Sequence, residues 1–228
     1  MIGRLRTLGI VLAVFSLVFM AAGAFTLYKV NEGRNSLQTF SAAQNVKLAY
    51  DEQGNFTSGA TAEEGTAILS FLKDEWGYNV VPWEMDKNDP LVNTPSEYMV
   101  QMATIAYHTL HSTQTVVLPE DVTAKDGTVY KAGTYDFPVD GRYWTGFNRA
   151  NPIEGKAREL AWTGTAHALI AELGVGSVTG STLQLGLGLA GLFLGVGTVV
   201  LISGLGLVWA TRAKEATVPG FVLAPTPA

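Results

Sequence analysis

Two long stretches of this chain hold no charged residue, and the segment between them spaces its apolar positions as strands and helices do. The uncharged stretches are residues 7–28 and 173–211. A helix rises about 1.5 Å per residue, so about 20 apolar residues cross roughly 30 Å of hydrocarbon. The first stretch is one such length. The second is longer, but its start, residues 175–182 (VGSVTGST), is polar and glycine-broken. That predicts a hinge over 175–182 and a transmembrane helix over 183–210. The apolar core of the first stretch, residues 8–27, exceeds the roughly 7–15 residues of a cleavable signal. Ala22-Gly23-Ala24 has the small residues of a cleavage site, but the length favours an uncleaved signal anchor over 7–28.

Residues 29–174 read as an extracytoplasmic α+β domain, a small antiparallel sheet plus helices, tethered by two transmembrane helices. Residues 30–44 keep helical spacing through Leu37, Phe40 and Ala43, which carries the first helix past the bilayer. Val46, Leu48 and Tyr50 alternate before the turn Asp51-Glu52-Gln53-Gly54, which predicts a strand over 45–50. Thr61-Ala62-Glu63-Glu64 is a capping box, in which Thr61 takes the amide of Glu64 and Glu64 reaches back. It opens a helix whose apolar face is Ile68, Leu69, Phe71, Leu72 and Trp76, ended by Gly77. Thr94-Pro95-Ser96-Glu97 is a second box, with proline at the first helical position, and its helix runs to His111. Residues 115–118 and 128–137 predict strands, the latter broken at Gly133. Residues 153–173 predict one helix.

Composition and charge then assign sides and exclude classes. Charged residues are 15% of the chain, against about 25% in an ordinary soluble domain. The chain has no cysteine, so no disulfide scaffold and no lipidated cysteine is available. A net charge of −5 argues against a nucleic-acid partner, and the high apolar content argues against disorder. Arg4 and Arg6 precede the first span, and Arg212 and Lys214 follow the second. Lysine and arginine at the span ends mark the cytoplasmic side. The expected topology is therefore a two-pass protein of the cell membrane. Residues 1–6 and a disordered tail, 211–228, are cytoplasmic, and the acidic central domain lies outside.

Candidate chemistry is sparse. His108 and His111 share a helix face. With His167, or with Glu97 or Glu172, they are candidate metal ligands, although no His-Glu-x-x-His spacing or cysteine pair accompanies them. Polar residues in helix packing explain the pair equally well. No nucleophile elbow, phosphate-binding loop or dinucleotide fingerprint occurs. Residues 141–149 (GRYWTGFNR) join Arg142 and Arg149 to Tyr143, Trp144 and Phe147. Arginine and aromatics dominate binding hot spots, which makes this loop a candidate recognition surface. The alternative is that its rings plug the core. The second span is glycine-rich, and Gly188, Gly191 and Gly195 are candidates for close helix packing, within the chain or between subunits. Neither span holds an ionisable residue, which argues against a proton path.

Three stretches carry a resemblance: residues 93–111 (NTPSEYM to AYHTLH), 141–145 (GRYWT) and 171–176 (AELGVG). They resemble an uncharacterised family of small actinobacterial two-span membrane proteins, sometimes labelled aromatic ring-opening dioxygenases of the LigA type. The resemblance covers nearly the whole chain and implies the two-span topology. The dioxygenase label implies iron held by two histidines and a carboxylate, for which this chain offers His108 and His111. The expectation from the residues themselves is a non-enzymatic protein of the cell envelope without a cofactor. Its partners would be the lipid bilayer and either further copies of itself or a larger membrane complex. A module binding cell-wall polymer through the 142–149 loop and a metal-dependent enzyme at the histidine pair are the alternatives.

Overall fold

The computed structural model describes residues 2–59 and 61–216, with side chains described through Arg212. Most of the tail expected over 211–228 lies outside these residues. The described residues outside 36–181 form one compact unit, and residues 36–181 form another. Helix α1 (Ile2–Gln44) and helix α5 (Gly164–Ala216) each contain a stretch long and apolar enough to cross a membrane.

In the first unit α1 and α5 run antiparallel. Gly9 faces Gly204, Met20 faces Gly197 and Gly33 faces Leu183. The backbones approach so closely that a Cβ on Gly9 would stand 2.7 Å from the Gly204 carbonyl oxygen. Small residues are what allow that approach. Ser16 is fully buried, and its hydroxyl donates to the Ala13 carbonyl at 2.7 Å, so burial leaves no orphaned hydroxyl. Val11, Val14, Leu17, Val18, Val199 and Ile202 point outward and are exposed.

Among its described residues the second unit holds three separate antiparallel strand pairs rather than one sheet. Strand β1 (Ala49–Tyr50) pairs with β2 (Phe56–Thr57). Strand β3 (Thr113–Leu118) pairs with β6 (Gly133–Pro138), and β4 (Val122–Thr123) with β5 (Val129–Tyr130). Val116 and Leu118 are buried and Val117 is exposed, the period-two alternation of a half-covered pair. The strand expected over 45–50 shortens because the 90–92 loop takes its first half. The Leu48 amide donates to Pro90 and the Val92 amide donates to Val46, both at 2.9 Å.

Helix α2 (Ala62–Asp74) and helix α3 (Pro95–Leu110) carry the main core. Ile68, Leu72, Val100, Ala103 and Leu173 are buried together with Leu48 and Phe56. The capping box of α3 is complete: Thr94 Oγ1 accepts from the Glu97 amide at 3.3 Å, and Glu97 Oε2 accepts from the Thr94 amide at 3.0 Å. The box of α2 is only half formed. Thr61 Oγ1 accepts from the Glu64 amide, but the Glu64 side chain goes elsewhere.

Two expectations for the C-terminal half change. The helix expected over 153–173 divides into α4 (Pro152–Ala161) and the start of α5, with the break at Trp162 and Thr163. The hinge expected over 175–182 is continuous helix. Its glycines serve packing instead. A Cβ on Gly176 would stand 2.6 Å from the Tyr98 ring, and one on Gly180 would stand 2.9 Å from Pro95.

Glu97 gives this unit a pH dependence. Its carboxylate is almost fully buried, and burial raises the carboxyl above the ordinary glutamate range. Donors from Asn93 and Thr94 pull it partly back. The folded chain thus holds a proton that the unfolded chain has already released, so this contribution is complete below the unfolded value and lost as pH rises through the folded one. Asp51, Asp121 and Asp126 are held low by hydrogen bonds and act in the opposite sense. They are common to both chains of a comparison. Denaturant midpoints across the carboxylate range should therefore show wild type losing stability relative to Glu97→Gln as pH rises. Parallel profiles would refute the assignment.

Candidate functional site

The turn between β2 and α2 places a serine beside a histidine of α3. After Thr57 the chain folds back, with the Ser58 amide donating to Thr61 O at 3.1 Å and the Thr61 amide to Ser58 O at 2.9 Å. Gly59 adopts a φ of +56, a conformation open to glycine. Ser58 is buried, and its Oγ lies 3.0 Å from His108 Nε2. The other ring nitrogen of His108, Nδ1, lies 3.4 Å from Glu64 Oε1. Glu64 reaches this position past Gly59, where any Cβ would collide with the Glu64 carboxylate.

The other two histidines have different surroundings. His111 Nδ1 bonds the Tyr107 carbonyl one helical turn back at 2.8 Å, and its ring lies 4.1 Å from the Tyr107 ring. His167 Nδ1 bonds the Thr163 carbonyl at 3.0 Å, also one turn back. Among the described residues no group of three or more histidine, cysteine or acidic side chains could hold a metal ion. His108, His111 and His167 thus do not gather, and the iron site implied by the dioxygenase resemblance does not fit the residues present.

The 141–149 loop divides between core and surface. Phe147 is buried with Leu110, Val139, Ala161 and Trp162. Tyr143 stacks on Trp162 at 5.8 Å and accepts a hydrogen bond from Trp76 Nε1 at 2.9 Å. Trp144 meets the edge of His167 at 5.0 Å, and the Arg158 guanidinium sits 3.9 Å from its ring centre. Such cation–π contacts fix a ring at modest energetic gain. Tyr143 and Trp144 nevertheless stay exposed, as does Arg149. Arg142 turns inward, donating to Pro138 and Val139 carbonyls.

The glycines of the second span also divide. Gly186, Gly197 and Gly204 pack against α1. Among the described residues, Gly188, Gly191, Gly195 and Gly206 have no atom from outside their own stretch of helix within 4 Å of where a Cβ would stand. Gly191 and Gly195 line a shallow apolar groove with Leu192, Val196, Val199 and Val200. In the second unit an apolar cavity of about 190 Å³ lies among Phe40, Ser41, Tyr98, Gln101, Leu169 and Leu173. On its wall the Ser41 and Tyr98 hydroxyls bond each other at 2.6 Å.

Sequence reasoning found His108 and missed Ser58 and Glu64. Ser58 stands in no nucleophile motif, and Glu64 matches a capping box. The one local signal is a Ser-Gly turn directly before a helix cap. No protein-family model, curated protein or solved structure matches this chain.

Proposed function

We propose that this chain is a two-span protein of the cell envelope that self-associates within the bilayer through the open glycine face of α5. The carrying observation is the split among its glycines. Those facing α1 are consumed by packing within the chain, whereas Gly188, Gly191 and Gly195 face no other element among the described residues, and Gly191 and Gly195 line a groove that no described residue fills. Lipid tails are as apolar as leucine, so helices associate in a bilayer through close packing of small residues rather than through hydrophobic force. The outward valines and leucines of both helices suit hydrocarbon. The antiparallel run of α1 and α5, with Arg4, Arg6 and Arg212 near their ends, supports both ends lying on the cytoplasmic side and residues 36–181 lying outside.

The test is native mass in mild detergent. Wild type should appear as an oligomer, and Gly191→Leu with Gly195→Leu should reduce it to monomer while unfolding at the wild-type temperature. A wild-type monomer, or a double variant of unchanged mass, overturns the reading.

A further inference from the structure

The structure assigns a catalytic role to Ser58, His108 and Glu64: we propose that they hydrolyse uncharged carboxylic esters through an acyl-serine intermediate. The order of contacts is that of a nucleophile, a base and an orienting acid. Ser58 Oγ meets Nε2 at 3.0 Å, and Glu64 Oε1 faces Nδ1 at 3.4 Å. A carboxylate beside Nδ1 favours the tautomer with the proton there, which leaves Nε2 with the lone pair that must take the serine proton. The contrast with the other histidines carries the argument. His111 and His167 both turn Nδ1 onto the carbonyl one helical turn back. His108 instead spends both ring nitrogens on side chains from the turn before α2 and from α2 itself.

The His108 ring is exposed, and amides close to Ser58 in the chain are unbonded among the described residues. The His108 side chain is 47% exposed, so its ring is open to solvent beside the buried Ser58. The amide of Gly59, next in the chain to the nucleophile, makes no hydrogen bond among the described residues, and neither do those of Ala62 and Glu63 in the first turn of α2. Unbonded amides at a helix N-terminus stabilise developing negative charge. The first turn of α2 carries Glu63 and Glu64 and no cation, which repels phosphate, sulfate and carboxylate esters and leaves uncharged ones.

In the first half-reaction Ser58 Oγ attacks the ester carbonyl carbon as His108 Nε2 takes the Oγ proton. The C=O electron pair moves onto the carbonyl oxygen. The tetrahedral adduct collapses, the bond to the alcohol oxygen breaks, and that oxygen leaves with the proton from Nε2. The products are an alcohol and acyl-Ser58. Water then attacks the acyl carbon, giving a proton to Nε2. Collapse releases the carboxylic acid, and the proton returns to Ser58 Oγ. The Glu64 carboxylate beside Nδ1 steadies the imidazolium in both halves.

The experiment uses the full-length protein in mild detergent with a fluorophosphonate probe and p-nitrophenyl butyrate. The probe should form one adduct, located by peptide mass spectrometry on Ser58, and the ester should turn over. Ser58→Ala and His108→Gln should lose both signals, and Glu64→Gln should lower turnover on the order of 10²–10⁴-fold. Unfolding temperatures are measured for each variant. Mapping the adduct on wild type needs no variant to fold. A folded wild type without an adduct on Ser58, or turnover that survives Ser58→Ala, overturns the proposal.

Discussion

Gly65→Ala should destabilise residues 36–181 by about 3 kcal/mol, although alanine is the better helix former by about 1 kcal/mol. Gly65 lies in the first turns of α2 and is buried. A Cβ there would overlap the Phe56 carbonyl oxygen and stand 2.8 Å from the Phe56 carbonyl carbon and 3.0 Å from Thr57 Cα. These are backbone atoms of β2, held in register with β1, so no side-chain rotation relieves the clash. Either β2 shifts away or α2 tilts, and both movements displace Ser58 from His108. Gly155→Ala in α4 is the control. Its nearest atom would be 3.5 Å away, an ordinary contact, so that variant should match or slightly exceed wild type. Thermal and denaturant unfolding followed by tryptophan fluorescence reads both. A Gly65→Ala chain as stable as wild type would show that α2 and β2 are not packed this closely.

Gly176→Ala should cost about 2 kcal/mol, whereas Gly174→Ala, two residues away, should gain up to about 1 kcal/mol. At Gly176 a Cβ would meet the Tyr98 ring at 2.6–2.8 Å. Tyr98 is buried, and its hydroxyl is tied to Ser41 Oγ at 2.6 Å, so moving the ring away from α5 breaks that bond. At Gly174 the nearest atom would be Met102 Sδ at 3.7 Å, which a methyl group can meet without strain. The pair separates close packing from bending. If residues 175–182 bent as a hinge, both substitutions would stiffen the same helix and their stabilities would move together.

The hydrophobic pattern located α1, α2, α3 and the apolar part of α5 because its causes are local. Uncharged runs over 7–28 and 173–211 mark the apolar parts of α1 and α5. The Thr94–Glu97 box marks the start of α3, because both of its bonds join residues three apart. The same box over Thr61–Glu64 misled for half its length. Glu64 had a second partner in His108, 44 positions away, and no local spacing reveals such a competitor. The strand over 45–50 was curtailed for a similar reason, since its first hydrogen bonds go to Pro90 and Val92 in a loop.

Glycine shows the limit most clearly. Seven glycines in the second span and three in the segment before it look alike in sequence, where together they predict a hinge followed by one packing face. The structure distinguishes them by what stands opposite: Tyr98 at Gly176, Pro95 at Gly180, the α1 backbone at Gly204 and open space at Gly191 and Gly195. The sequence alone determined where charge is absent, which helices are long and apolar, and where helix α3 begins. Those properties follow from side-chain transfer energies and from bonds within one turn. Only the tertiary structure decided which glycines are occupied, that residues 175–182 stay helical, and that Ser58, His108 and Glu64 meet. Each of these depends on atoms far apart in the chain coming within a few ångströms.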